Sequence, residues 1–124
     1  MNAIQSVESG GDTNCEHRIG DAGHSHGCFQ IQTTTFNLWS EEHLGYVATQ
    51  TYWTQRYVVT KQVQKWIAQG YTDRGVALMY NHPASQGKTC GEGYNKKIGV
   101  KWNSCAYAQS VLAKLSINTA LAAE

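Results

Sequence analysis

Residues 44–70 read LGYVATQTYWTQRYVVTKQVQKWIAQG, and their apolar positions decide the fold class. Leu44, Val47, Ala48, Tyr52, Val59, Val63, Trp66 and Ile67 recur at helical spacing as far as Gly70, the pattern of a helix with one face in a core. The run is longer than an average helix, so a break near Thr54 is expected. Just upstream, Ser40 followed by Glu41 and Glu42 is a helix start with acids in the first turn. Before it, Phe29 to Trp39 is ambiguous, because Thr33, Thr34 and Thr35 suit either a short strand or a helix entry. Downstream, Thr72 or Asp73 caps a helix through Val76, Ala77 and Met79 that Pro83 ends. Residues 84–95 hold Gly87, Gly91 and Gly93 and read as a loop. Ser104 then starts a last helix with Cys105, Ala108, Leu112 and Leu115 on one face. At the front, Ala3, Ile4 and Val7 make a short helical face that Gly10-Gly11 stops. Five glycines between positions 10 and 28 mark a loop or small hairpin. The expected fold is mainly α, α+β at most: a helical bundle with a Gly-rich front loop or small hairpin.

The length of 124 residues fits one domain, 1–124, and the 41% hydrophobic content with four Trp and seven Tyr excludes disorder. No apolar run approaches the ~18–20 residues of a membrane span. The net charge of +1 divides into −4 over residues 1–60 and +5 over residues 61–124. The lysines are scattered rather than clustered, so no nucleic acid partner is expected. No cofactor is implied either. Met1 is followed by no basic segment and no apolar stretch, so no signal peptide is visible in this chain. Yet Cys15, Cys28, Cys90 and Cys105 form an even set in a short chain, which favours two disulfides and an extracytoplasmic location. Of the three possible pairings, Cys15–Cys28 and Cys90–Cys105 close short local loops and are preferred. The rival is a zinc site drawn from Cys15, His17, His24, His26 and Cys28. Its C-x-H and H-x-H-x-C spacings depart from the usual zinc patterns, so the expected metal is none.

Chemistry by carboxylates would have to lie in the acidic N-terminal half. Glu8 stands at the C-terminal end of an apolar helix, followed by Ser9-Gly10-Gly11. Apolar surroundings disfavour the ionised form of a carboxylate, which is what a general acid needs. Taken alone, Glu8 reads first as an exposed helix-end acid. The segments that follow add to it: Gly20-Asp21-Ala22-Gly23-His24-Ser25-His26-Gly27-Cys28-Phe29-Gln30-Ile31, then Ala77-Leu78-Met79-Tyr80-Asn81, then Tyr94 in a Gly-rich setting.

This ordered set, spanning residues 3–95, resembles the lysozyme-like superfamily, specifically the goose-type lysozymes and the soluble lytic transglycosylases. Their signature is Glu-Ser, a Gly/Ser-rich turn ending in G-x-x-Q-[IV], an Ala-x-x-Tyr-Asn helix and a later Tyr. The resemblance implies a sugar-binding cleft and cleavage of the β-1,4 bond between N-acetylmuramic acid and N-acetylglucosamine in peptidoglycan glycan strands. Glu8 would be the catalytic acid and Asp21 the base or water-positioner. Ser25, Gln30, Tyr80, Asn81 and Tyr94 would bind substrate or shape the cleft. Two departures stand out: Gln32-Thr33 replaces a further Asp seen in goose-type enzymes, and His82-Pro83 follows Tyr-Asn where relatives have Ala-Gly. Asp21 is then the only obvious second carboxylate, which favours hydrolysis. The alternative is a lytic transglycosylase, in which the muramic 6-hydroxyl attacks and leaves a 1,6-anhydro end. A non-catalytic glycan-binding module and a zinc-stabilised interaction domain are the remaining readings. The near-neutral charge suits a wall-remodelling module, or part of a larger phage or secretion-machine protein.

Overall fold

The computed structural model of the chain describes residues 2–9, 15–20, 23–81, 83 and 86–123, with side chains as far as 114. It is mainly α, with 60% of residues in helices and 14% in short strands. Helix α1 spans Asn2–Ser9, and a 3-10 turn covers Cys15–His17. Three two-residue strands follow: β1 (Ile19–Gly20), β2 (Ser25–His26) and β3 (Ile31–Gln32). They form one antiparallel sheet in the order β1-β2-β3, with Ile19 opposite His26 and His26 opposite Ile31. Helices α2 (Thr33–Leu44), α3 (Tyr52–Ala68) and α4 (Asp73–Asn81) come next, then the hairpin β4 (Glu92–Asn95) and β5 (Val100–Asn103), and helix α5 (Ser104–Ala123).

The helix break falls earlier than the spacing predicts. The chain leaves α2 at Gly45, whose φ of +83° and N–H bond to the Glu41 carbonyl make a left-handed cap. It re-enters a helix at Tyr52, because Thr51 and Thr54 cap each other reciprocally. Thr54 therefore lies in the first turn of α3 and not at a break. Ser40 is likewise no helix start. It is fully buried inside α2, where its hydroxyl donates to the Tyr46 carbonyl and accepts from the Ala48 amide, closing the α2–α3 connection. The helix begins instead at Thr33, so the threonine run is a helix entry.

One core collects residues from every helix. Ala3 and Ile4 of α1, Phe36 of α2, Val58 and Val59 of α3, Ala77 and Leu78 of α4, and Ala108 and Val111 of α5 are all buried, together with Cys15, Cys28, Phe29 and Ile31. On α5 the buried face is Ser104, Ala108 and Val111, one step round from the expected Leu112, which is half-buried. The two disulfides are Cys15–Cys28 and Cys90–Cys105. Each closes a loop short enough to stabilise the fold by about 3 kcal/mol in the chain-entropy account. The first bridge ties the 3-10 turn to the sheet, and its two sulfurs are not available to a metal as thiolates. From the same turn, Glu16 accepts the Tyr52 N–H at 3.0 Å, placing a carboxylate at the start of α3.

One expectation about the second half of the chain needs correction. Residues 92–95 are a strand and not loop, paired antiparallel with 100–103. The hairpin turn is closed by the Gly99 N–H on the Asn95 carbonyl at 2.8 Å, and the Asn95 side chain accepts from the Lys97 N–H. Among the described residues, no helix is long and apolar enough to cross a membrane.

Candidate functional site

Helix α1 is short, yet its C-terminal end is held from several directions. Ala3 and Ile4 sit in the core, the Ser9 hydroxyl donates back to the Gln5 carbonyl, and the Arg18 guanidinium donates to the Ser9 carbonyl at 3.1 Å. A cation on the last carbonyls is the favourable charge for that end of a helix. These contacts fix the direction in which the half-buried Glu8 leaves the helix.

Glu8 lines a cavity of about 410 Å³ between the three-stranded sheet and the helices. Ser25, Gln30, Tyr80 and Asn81 line the same cavity. Four of the five residues expected to bind substrate are thus gathered around the expected acid. Tyr94 is not among them: it stands exposed on β4, opposite Lys101. Asp21 lies outside the described residues.

Each of the gathered side chains is held by its own local structure. Ser25 is buried on β2. Gln30 has a left-handed φ of +48°, uncommon for a residue with a side chain. Its amide donates to the Gly27 carbonyl at 2.7 Å and to the Arg18 carbonyl at 3.3 Å, so it braces the sheet as well as facing the cavity. Gly20 lies tight against it: a Cβ there would meet the Gln30 side-chain oxygen at 2.2 Å, and the Gln30 amide would have to shift. Gly27, with φ +79°, lies as close to Gln55, whose amide holds the His26 carbonyl. Asn81 ends α4 with its side-chain oxygen buried and, among the described residues, without a hydrogen-bond partner.

Tyr80 donates its hydroxyl proton to the Phe29 carbonyl at 2.5 Å. Burial pushes this phenol well above its usual titration range, and the negative charge of Glu8 adds to the effect. Behind it, Tyr107 of α5 stacks on the Tyr80 ring with centroids 6.4 Å apart. The Tyr107 phenol is raised for the same reasons in the same order, burial first and the Glu8 charge second. Its buried hydroxyl lacks a partner in full hydrogen-bond geometry among the described residues, and the Glu8 carboxylate is the group that favours keeping its proton. Two protonated phenols therefore stand next to the carboxylate.

This pair has a consequence at alkaline pH. A phenol whose native value lies above the unfolded value of about 10 holds its proton more tightly in the fold. Its stabilisation is complete below pH 10 and is lost as the pH climbs from there towards the native value. Phenolate absorbance from Tyr80 and Tyr107 is expected to appear later in an alkaline titration than that of the exposed tyrosines. Tyr80→Phe and Tyr107→Phe each remove one unit of that late absorbance. If the late component is missing from the wild-type protein, the burial is wrong.

The cavity has further members outside the motif residues. Trp39, wedged between Trp66 at 5.7 Å and Tyr80 at 6.0 Å, lines the cavity along with Gln32, Thr35 and Pro83. Their signal was the helix entry at Thr33, which turns Thr35 and Trp39 to one face, four residues apart. Tyr107 carried no signal, since its proximity to Glu8 arises from the packing of α5 on α1. Of the other tryptophans, Trp66 is core and Trp53 is 73% exposed.

A second cavity of about 510 Å³ opens under the β4–β5 hairpin. Gln32, Asn81 and Pro83 line both cavities, so the two adjoin. Together they make a groove with Glu8 towards one end and the hairpin at the other. Compared with known proteins, the chain matches no protein-family model, no curated protein and no solved structure.

Proposed function

We propose that the chain is a peptidoglycan-cleaving enzyme in which Glu8 is the general acid, acting on the β-1,4 bond between N-acetylmuramic acid and N-acetylglucosamine. The observation that carries this reading is the convergence of Glu8 with Ser25, Gln30, Tyr80 and Asn81 on one cavity, from positions spread over 74 residues of sequence. Two adjoining cavities suit an extended polymer better than a compact metabolite. The two disulfides favour work in an oxidising, extracytoplasmic compartment.

In the first step the Glu8 carboxyl gives its proton to the glycosidic oxygen. The C1–O bond breaks with both electrons passing to that oxygen, and positive charge spreads over C1 and the ring oxygen. The Tyr107 phenol stands beside the carboxylate so formed and tempers its charge, while the Tyr80 proton stays on the Phe29 carbonyl. The Ser25 hydroxyl and the Asn81 amide supply polar contacts for the sugar. In the second step Glu8 takes a proton back from the nucleophile. If that is water, as we favour, the enzyme is a muramidase, with the role of orienting the water falling to Asp21 only by the resemblance. If it is the muramic 6-hydroxyl, Glu8 suffices alone and the enzyme is a lytic transglycosylase.

Mass analysis of peptidoglycan digested by the purified chain tests the reading. Muropeptides with reducing muramic ends are expected; ends lighter by one water assign the transglycosylase route. An undigested wall overturns the catalytic reading and leaves a glycan-binding module.

A further inference from the structure

A further cavity, of about 440 Å³, lies on the reverse face of the three-stranded sheet from Glu8. Alternate residues of a strand point to opposite faces, and along β2 Ser25 lines the Glu8 cavity while His26 lines this one. Among the described residues none lines both. The start of α3 forms another wall, tied to the 3-10 turn by the bond from the Tyr52 N–H to the Glu16 carboxylate. Glu16 and Arg18 balance in charge, and both are held by the protein, Arg18 on the Ser9 carbonyl. Counting the histidines as neutral, the lining carries no excess charge that would select an ion. Hydrogen-bonding capacity is left over. Gln55, 2% exposed, lines the cavity, and its side-chain oxygen has no partner among the described residues. Beyond it, the Gln50 amide nitrogen reaches only the Thr33 hydroxyl, at 3.5 Å, the outer limit of such a bond. An aromatic face stands at the margin: the exposed Trp53 ring meets edge-on, at 5.0 Å, the ring of Tyr52, which lines the cavity. Uncharged amides and hydroxyls beside an exposed indole match a sugar. Its hydroxyl and acetamido groups pair with the former, and its C–H groups carry the partial positive charge that the negative ring face attracts.

We propose that this cavity and Trp53 form a second, non-catalytic binding site for a neutral N-acetylated sugar chain, with Gln50 and Gln55 as its amide contacts. The inference takes its ligand from the glycan reading of the chain but does not depend on turnover. A strand lying in the Glu8 groove leaves this cavity free, because the sheet stands between them. Two sites that engage one insoluble polymer raise each other's effective concentration, so the protein holds the wall more tightly than either site does alone.

Nuclear magnetic resonance titration of the full chain with the N-acetylglucosamine trimer tests this. The side-chain amide signals of Gln50 and Gln55 and the indole N–H of Trp53 are expected to move together along one saturation curve, little altered by salt. Signals from Trp39 and Asn81 report the Glu8 groove separately. Trp53→Ala should weaken the Gln50 and Gln55 curve about tenfold, and Trp53→Phe, which keeps an aromatic face, about threefold. Exposure of Trp53 lets both variants fold, and the native spectra carry the test if one does not. Sedimentation with purified peptidoglycan gives a second readout: on a Glu8→Gln background, Trp53→Ala should lower the retained fraction. Shifts confined to Trp39 and Asn81, no shifts at all, or a curve and a retention indifferent to Trp53→Ala overturn the proposal. Binding at this cavity without cleavage of walls sinks the catalytic reading and leaves this one standing; cleavage without binding here does the reverse.

Discussion

Replacing Glu8 with Gln is expected to lower the release of muropeptides from cell walls by at least about 10²-fold, with the fold unchanged. Gln matches Glu in size and still accepts hydrogen bonds, but it has no proton to give at the glycosidic oxygen. The loss corresponds to roughly 2.7 kcal/mol of barrier, the scale of a single acid catalyst. The folded state should tolerate the change, since Glu8 is half-buried at the rim of the core. A second readout comes from the phenols. The Glu8 charge is one cause that raises Tyr80 and Tyr107, behind burial. In Glu8→Gln both should titrate lower than in the wild type while remaining elevated. That shift reports removal of the charge independently of catalysis. Unaltered wall digestion by a variant with this spectroscopic change would falsify the role of Glu8.

The sequence carried the helical part of the fold well and the connections poorly, for reasons visible in single residues. Ala3, Ile4 and Val7, or Val76 and Ala77, announce helices because burial repeats with the helical period. Ser40 misled because its hydroxyl does the work of a cap, but for a neighbouring loop and from inside a helix. The break between α2 and α3 depended on Gly45 adopting a left-handed φ, and nothing in the apolar pattern marks that position. The β4–β5 hairpin was hidden because its strands are mostly exposed and lack a buried alternate face. At the site, the motif residues Glu8, Ser25, Gln30, Tyr80 and Asn81 were legible as a set. Tyr107 was not, because its relation to Glu8 is a product of helix packing and leaves no trace in local spacing.

Phe29→Ala is expected to destabilise the protein by about 3–5 kcal/mol, a large share of the ~5–15 kcal/mol typical of a domain. Phe29 is fully buried, its ring tilted against Tyr52 at 6.2 Å, in a chain segment where few alternatives exist. Cys28 before it is crosslinked and Gln30 after it is held left-handed, so the backbone cannot close in on the space left by the ring. Incomplete collapse is what moves such substitutions to the upper end of their range. The same residue joins core to cleft, because its carbonyl receives the Tyr80 hydroxyl. Phe29→Leu, which keeps most of the volume, should cost much less than Phe29→Ala and retain wall-digesting activity. Denaturant titration checks the pair through the unfolding midpoint at constant slope. A cost below about 1.5 kcal/mol for Phe29→Ala would mean the ring is not packed as described.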